Sequence, residues 1–221
     1  MRILVTAGGT EEPIDGVRRL VNGSTGATGL AIARYFSARG AVVYLLHSHR
    51  VDTGGLHVEA AAFVTFNDLG AALRRLLASR RFDAVVHLAA VGDYRLDSVE
   101  VDGVATHASQ GKIGSGHELV LRLKPNPKLI DSFRNWSVNT DLKVVGFKLT
   151  NETGSAQRTE QVHKLLERGV VDLVVHNDLG EIGGEQHIAT LHAKHGVITT
   201  TKNKQDMARA IFDYLVAGEM E

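Results

Sequence analysis

Short apolar runs alternate with amphipathic stretches through the first 90 residues. Arg2 to Thr6 is too short an apolar run for a helix and stops at Ala7-Gly8-Gly9-Thr10, so it predicts a strand. A polar, glycine-bearing stretch follows as far as Gly26. Leu30, Ala31, Ile32, Ala33, Tyr35 and Phe36 then recur at helical spacing and Arg39-Gly40 closes the segment, which predicts a helix over about 26–39. Ala41 to His47 reads as a second strand and Val58 to Phe66 as a third. Asn67-Asp68 predicts the cap of a helix reaching Ser79, whose Leu69, Leu73, Leu76 and Leu77 share one face. Asp83 to Ala90 is apolar almost throughout, as a strand covered on both sheet faces should be.

Strands alternating with helices at intervals of roughly 10 to 15 residues predict right-handed βαβ units. The fold class is therefore α/β, with a Rossmann-like, doubly wound and mostly parallel sheet. Gly92 to Gly116 breaks this rhythm, being polar and glycine-rich, and reads as an irregular excursion. Glu118 to Leu123 alternates like a strand, Leu142 to Leu149 is a buried strand, Ala156 to Arg168 a helix, and Val171 to His176 a further strand. His187 to Ala193 and Val197 to Thr201 flank Lys194-His195-Gly196, which predicts a β-hairpin, and Gln205 to Val216 closes the chain as a helix. Without a repeat, linker or low-complexity segment, residues 1–221 are expected to form one domain.

Composition narrows the function. Of 221 residues 43% are hydrophobic, enough for a full core, and 25 basic side chains balance 25 acidic ones. That balance gives no long-range field to gather nucleic acid or anionic lipid, so neither is an expected partner and any anion site must be local. The absence of cysteine excludes disulfides, thiolate metal ligation and a protein thiol nucleophile, and it fits a cytoplasmic setting. No run approaches the roughly 20 apolar residues that span a bilayer. The chain has 23 glycines against three prolines, which suggests loops that bring backbone close to something else.

In open α/β sheets ligands sit beyond the carboxyl ends of the strands, which singles out a few loops. Gly8-Gly9-Thr10 and Asn22-Gly23-Ser24-Thr25-Gly26 lead to a helix start, where free amides and the dipole favour an anion; an ordinary glycine turn with a Ser/Thr cap explains the same residues. A G-x-G-x-x-G dinucleotide loop is not met, because Thr10 to Val21 intervenes and strand two ends His47-Ser48-His49-Arg50 without a carboxylate. Arg50 on a ribose phosphate keeps an NADP-binding oxidoreductase as the alternative. Ala89-Ala90-Val91-Gly92-Asp93-Tyr94 offers small residues against which a flat ring can lie, then a carboxylate able to bind ribose; a tight turn is the plain alternative. Lys112 lies in a glycine-flanked loop, and Lys164 and Arg168 share a helix face, where Glu160 and Glu167 could equally make them an ordinary salt-bridged surface. None of the 11 histidines shows a zinc-site spacing, and the serine-hydrolase elbow is missing, so metal ligands are not assignable.

Six segments occur together in a recognisable order: TAGGTEEPIDGVRRLVNGSTGATG from Thr6 to Gly29, AAVGDYR from Ala89, KIGS from Lys112, KPNPKLI from Lys124, VGFKL from Val145 and DLVVHNDL from Asp172. Through them the chain resembles the phosphopantothenate-cysteine ligases of coenzyme A biosynthesis over almost its entire length, in the stand-alone bacterial form. The resemblance implies that phosphopantothenate attacks the α-phosphate of a nucleoside triphosphate, CTP more often than ATP, and that cysteine then displaces the nucleotide from the acyl-cytidylate. It further implies Mg2+ accompanying the nucleotide, no flavin, and a homodimer in which a loop of one subunit covers the other's site. A non-catalytic nucleotide-binding relative is the remaining alternative.

Residue by residue, the resemblance implies catalytic roles for Asn22 and Lys112. Gly8, Gly9, Thr10, Asn22, Ser24 and Gly26 match the phosphopantothenate loop. Ala89 and Asp93 match contacts to cytidine and ribose. Pro127, Lys128, Leu129, Ile130 and Phe147 match segments around the base, and Lys164 and Arg168 match phosphate-binding cations. Two departures stand out: Gly114-Ser115 where many relatives carry further lysines, and Lys148 after Phe147 where a small residue is commoner.

Overall fold

The apolar runs pair side by side in an eight-stranded sheet. A computed structural model describes residues 1–106, 111–151, 154–183 and 186–217. Its main-sheet strands are β1 (Arg2–Ala7), β2 (Val42–Ser48), β3 (Glu59–Phe63), β4 (Ala84–His87), β5 (Lys143–Thr150), β6 (Leu173–Asp178), β7 (Ala189–Ala193) and β8 (Gly196–Thr201). The order is β8-β7-β6-β5-β4-β1-β2-β3; β3 to β6 run parallel, and β7 and β8 are antiparallel additions. This is the Rossmann-like, mostly parallel arrangement with a terminal hairpin that the pattern predicts.

Alternate residues of each strand serve opposite faces, and helices cover both. Ile3, Val5, Val43, Leu45 and Val86 pack with α1 (Ala27–Ala38) and α5 (Lys204–Ala217). Leu4, Tyr44, Leu46, Val85 and Val144 pack with α2 (Phe66–Ser79), α3 (Phe133–Trp136) and Val162 of α4 (Ser155–Glu167). Chain order reverses between β1 and β4, so their following loops diverge and leave a crevice at the carboxyl edge.

Several boundaries differ from expectation for identifiable reasons. The cap of α2 is Thr65, not Asn67-Asp68: Thr65 Oγ1 accepts the Asp68 amide at 3.1 Å while the Asp68 carboxylate accepts the Thr65 amide at 2.9 Å. The polar stretch after β1 contains a small antiparallel pair, Glu11–Pro13 with Arg19–Val21. The 92–116 excursion leaves the main sheet as expected, and part of it is regular. Tyr94–Val101 pairs with Val104–Thr106 and with Leu119–Pro125 in a separate three-stranded antiparallel sheet, which also takes up the strand expected from Glu118. Residues 107–110 of that excursion lie outside the described residues. His187 belongs to a short ribbon with Ile182 rather than to β7.

Candidate active site

The loops after β1 and β4 are stitched together by backbone. Ala90 N–H donates to Gly8 C=O at 2.8 Å, Thr10 N–H to Ala90 C=O at 3.1 Å, and Asn22 N–H to Thr10 C=O at 3.0 Å. Thr10 Oγ1 accepts the Gly92 amide at 2.8 Å. At Gly9 a Cβ would lie 1.8 Å from the Asn22 carbonyl oxygen, so only glycine permits this approach. Gly26 turns the chain into α1 at φ 73°, and no side chain of that N-cap residue satisfies the first-turn amides. Ala27 N–H instead donates to Thr25 Oγ1 at 3.4 Å, and Ala27, Thr28 and Gly29 border the crevice.

A cleft of about 630 Å³ opens at this point. It is lined by Gly8, Ser24, Gly26 and the start of α1, by Ala89 to Asp93, by Pro127 to Ile130 and Phe147, and by Lys164 and Arg168 of the α4 region. Most of the expected site residues are thus brought together. Gly9 and Thr10 are buried behind the surface as its scaffold. Asn22 is also set back, its side-chain amide donating to Val91 C=O at 3.1 Å, so it braces the middle segment.

Lys112 stands apart: it is exposed and does not line the cleft. Its loop is held instead by the turn at 15–18. Gly16 N–H donates to Gly111 C=O at 3.3 Å, Ile113 N–H to the Asp15 carboxylate at 3.1 Å, and Arg18 Nη2 to Ile113 C=O at 3.3 Å. Asp15 is almost wholly covered, and the backbone amides of Arg18 and Val17, joined by that of Ile113, hold its carboxyl down at about 2.

Three of the four lysine and arginine side chains that line the cleft already have carboxylate neighbours. Lys128 lies 2.5 Å from Asp93, Lys164 lies 2.6 Å from Glu160, and Arg168 pairs with Asp131. Lys148 also lines the cleft, as do Gln161 and His87, which the motifs do not mark. The signal for His87 was a polar residue inside the otherwise apolar β4, where burial pushes its imidazole down to about 4. Arg50, the residue on which an NADP reading depends, is taken up by the buried Glu11 carboxylate, which His49 also approaches at 3.0 Å. Among the described residues no group of three or more His, Asp or Glu side chains could hold a metal, and no helix is long and apolar enough to cross a membrane.

Comparison with known proteins agrees with the fold. The chain is 31% identical over 96% of its length to a coenzyme A biosynthesis bifunctional protein CoaBC of Thermococcus kodakarensis, of which it covers 50%. It spans about half the length of the curated relatives it matches. A crystal structure of a DNA/pantothenate metabolism flavoprotein from Streptococcus pneumoniae superposes with a TM-score of 0.86 at 28% identity, covering 98% of this chain and 99% of that one. The C-terminal domain of a CoaBC protein gives 0.73 at 26% identity, covering 97% and 93%. The family model described as the DNA/pantothenate metabolism flavoprotein C-terminal domain matches residues 1–218, and the chain belongs to that family.

Proposed function

We propose that this chain joins phosphopantothenate to cysteine through an acyl-nucleotide, with CTP preferred over ATP. The observation that carries the reading is the meeting, in one cleft, of a glycine-entered helix start whose amides beyond Ala27 take no side-chain cap with apolar residues and cations. In this reading the amides of α1 with Ser24 and Gly26 hold one anionic substrate. The base lies against Ala89, Leu129, Ile130 and Phe147, with the ribose at Asp93, and the triphosphate runs toward Lys148, Lys164 and Arg168. A carboxylate oxygen of phosphopantothenate forms a bond to the α-phosphorus as the bond to pyrophosphate breaks. The cysteine amine then attacks the acyl carbon, loses a proton, and releases the nucleoside monophosphate. The protein's contribution is alignment of two anions and neutralisation of charge.

Lys112 lies on the loop held by Asp15 and Arg18, outside its own subunit's cleft. In the proposed homodimer it reaches the cleft of the facing subunit, where one ammonium replaces the lysine cluster that Gly114-Ser115 has lost. Asn22 keeps Val91 and the acyl group in register. The test is pyrophosphate release from phosphopantothenate with CTP or ATP and Mg2+, with and without cysteine. Release with CTP and phosphopantothenoylcysteine formation on adding cysteine are expected; silence with every nucleotide would defeat the reading. Lys112→Gln should slow turnover about a hundredfold, on the scale of a lost oxyanion donor, with a much smaller change in nucleotide Kd.

A further inference from the structure

One side chain on the cleft floor has its proton placed by its neighbours. Thr6 Oγ1 accepts the amides of Leu88 at 3.1 Å and Ala89 at 3.0 Å, and it lies 3.0 Å from His87 Nδ1. A hydroxyl has two acceptor lone pairs and one proton. The two amides occupy the acceptors, so the hydroxyl proton points at Nδ1 and the imidazole's own proton resides on Nε2. Burial keeps the ring neutral, holding its value at about 4.

Nε2 has no hydrogen-bond partner among the described residues. Among them, the only sealed side-chain nitrogen or oxygen without a partner is the Tyr35 hydroxyl, so Nε2 is open, and His87 is one of the residues that line the cleft. The position within the cleft is specific. His87 stands in register with Gly146, next to Phe147, and its ring meets Phe133 edge to face with centroids 5.0 Å apart, directly after the 129–132 turn. The donor therefore sits at the foot of the apolar wall. A neutral donor on the side of the sheet that carries Ala89, Leu129 and Ile130 suits a neutral acceptor in a flat ring rather than a phosphate.

We propose that His87 reads the nucleobase, its Nε2–H donating to a carbonyl or ring-nitrogen acceptor, with Thr6 as the positioning residue that fixes the tautomer. The inference rests on the nucleotide reading above. It is tested by long-range 1H–15N spectra of the 15N-labelled protein, free and with CTP or with ribose 5-triphosphate, which lacks the base. The expected result is a pyrrole-type Nε2 and a pyridine-type Nδ1 in the free protein, with the Nε2–H signal moved by CTP and left in place by ribose triphosphate. His87→Phe should raise the Kd for CTP about five- to tenfold, the loss of one neutral hydrogen bond, and His87→Gln should recover part of it through its amide. An Nδ1–H tautomer, an Nε2–H signal unmoved at saturating CTP, or the same movement with ribose triphosphate would each overturn the proposal. If CTP binds and pyrophosphate is released while Nε2–H stays put, the ligase reading survives and this inference falls; if no nucleotide binds the wild-type protein, both fall.

Discussion

His87 stays unprotonated in the folded chain down to about 4, whereas in the unfolded chain it takes up a proton near 6.5. Between those values the unfolded state binds the extra proton, so this residue makes folding less favourable as pH falls through that window. At pH 4.5 the effect is on the order of 2 kcal/mol, since a tenfold change in proton affinity corresponds to about 1.4 kcal/mol. Urea unfolding of wild type and His87→Gln at pH 7 and pH 4.5 checks this. Wild type should lose more stability on acidification by about that amount, and equal losses would show that the ring is not buried neutral. Residue types alone could not reveal this site, because the Thr6 hydroxyl that fixes the imidazole is 81 positions away. The six short segments nevertheless made the small residues of the cleft legible, since Gly8, Ser24, Gly26, Ala89 and Asp93 all line it.

At the scale of elements, periodicity located the strands and long helices because each is covered on one or two faces by apolar neighbours. It failed where that contrast vanishes. Leu119–Pro125 is exposed or half-exposed along its whole length, so inward and outward positions look alike and the three-stranded sheet could not be read. The start of α2 was misplaced because Phe66, an apolar first residue, hides the cap before it. Thr65→Ala should cost about 1 kcal/mol in urea unfolding, the usual worth of such a cap, with no change in ligand binding. The position of Lys112 was equally illegible, since the bonds from Asp15 and Arg18 span nearly half the chain and leave no local pattern.

On the scale of the whole molecule, the three-stranded sheet carries exposed Leu121, Leu123 and Val104 away from both cores. Residues 121 and 123 point to the same side of their strand. If the exposed face of this sheet joins the two subunits of the proposed homodimer, Leu121→Glu with Leu123→Glu should give a monomer in analytical ultracentrifugation and remove ligation while leaving the circular dichroism spectrum intact. A dimer with full activity would place the contact elsewhere.

The ion pairs at the cleft rim have a consequence for selectivity. Lys128, Lys164 and Arg168 are each matched to an acid, and all six partners are at least 40% exposed, so each pair is weak and readily exchanged. A single inorganic phosphate swaps one oxyanion for another and gains little. A polyphosphate chain can trade against several in a single docking event, each later exchange being intramolecular. These three side chains thus answer stray anions weakly and respond to how many linked charges a visitor brings.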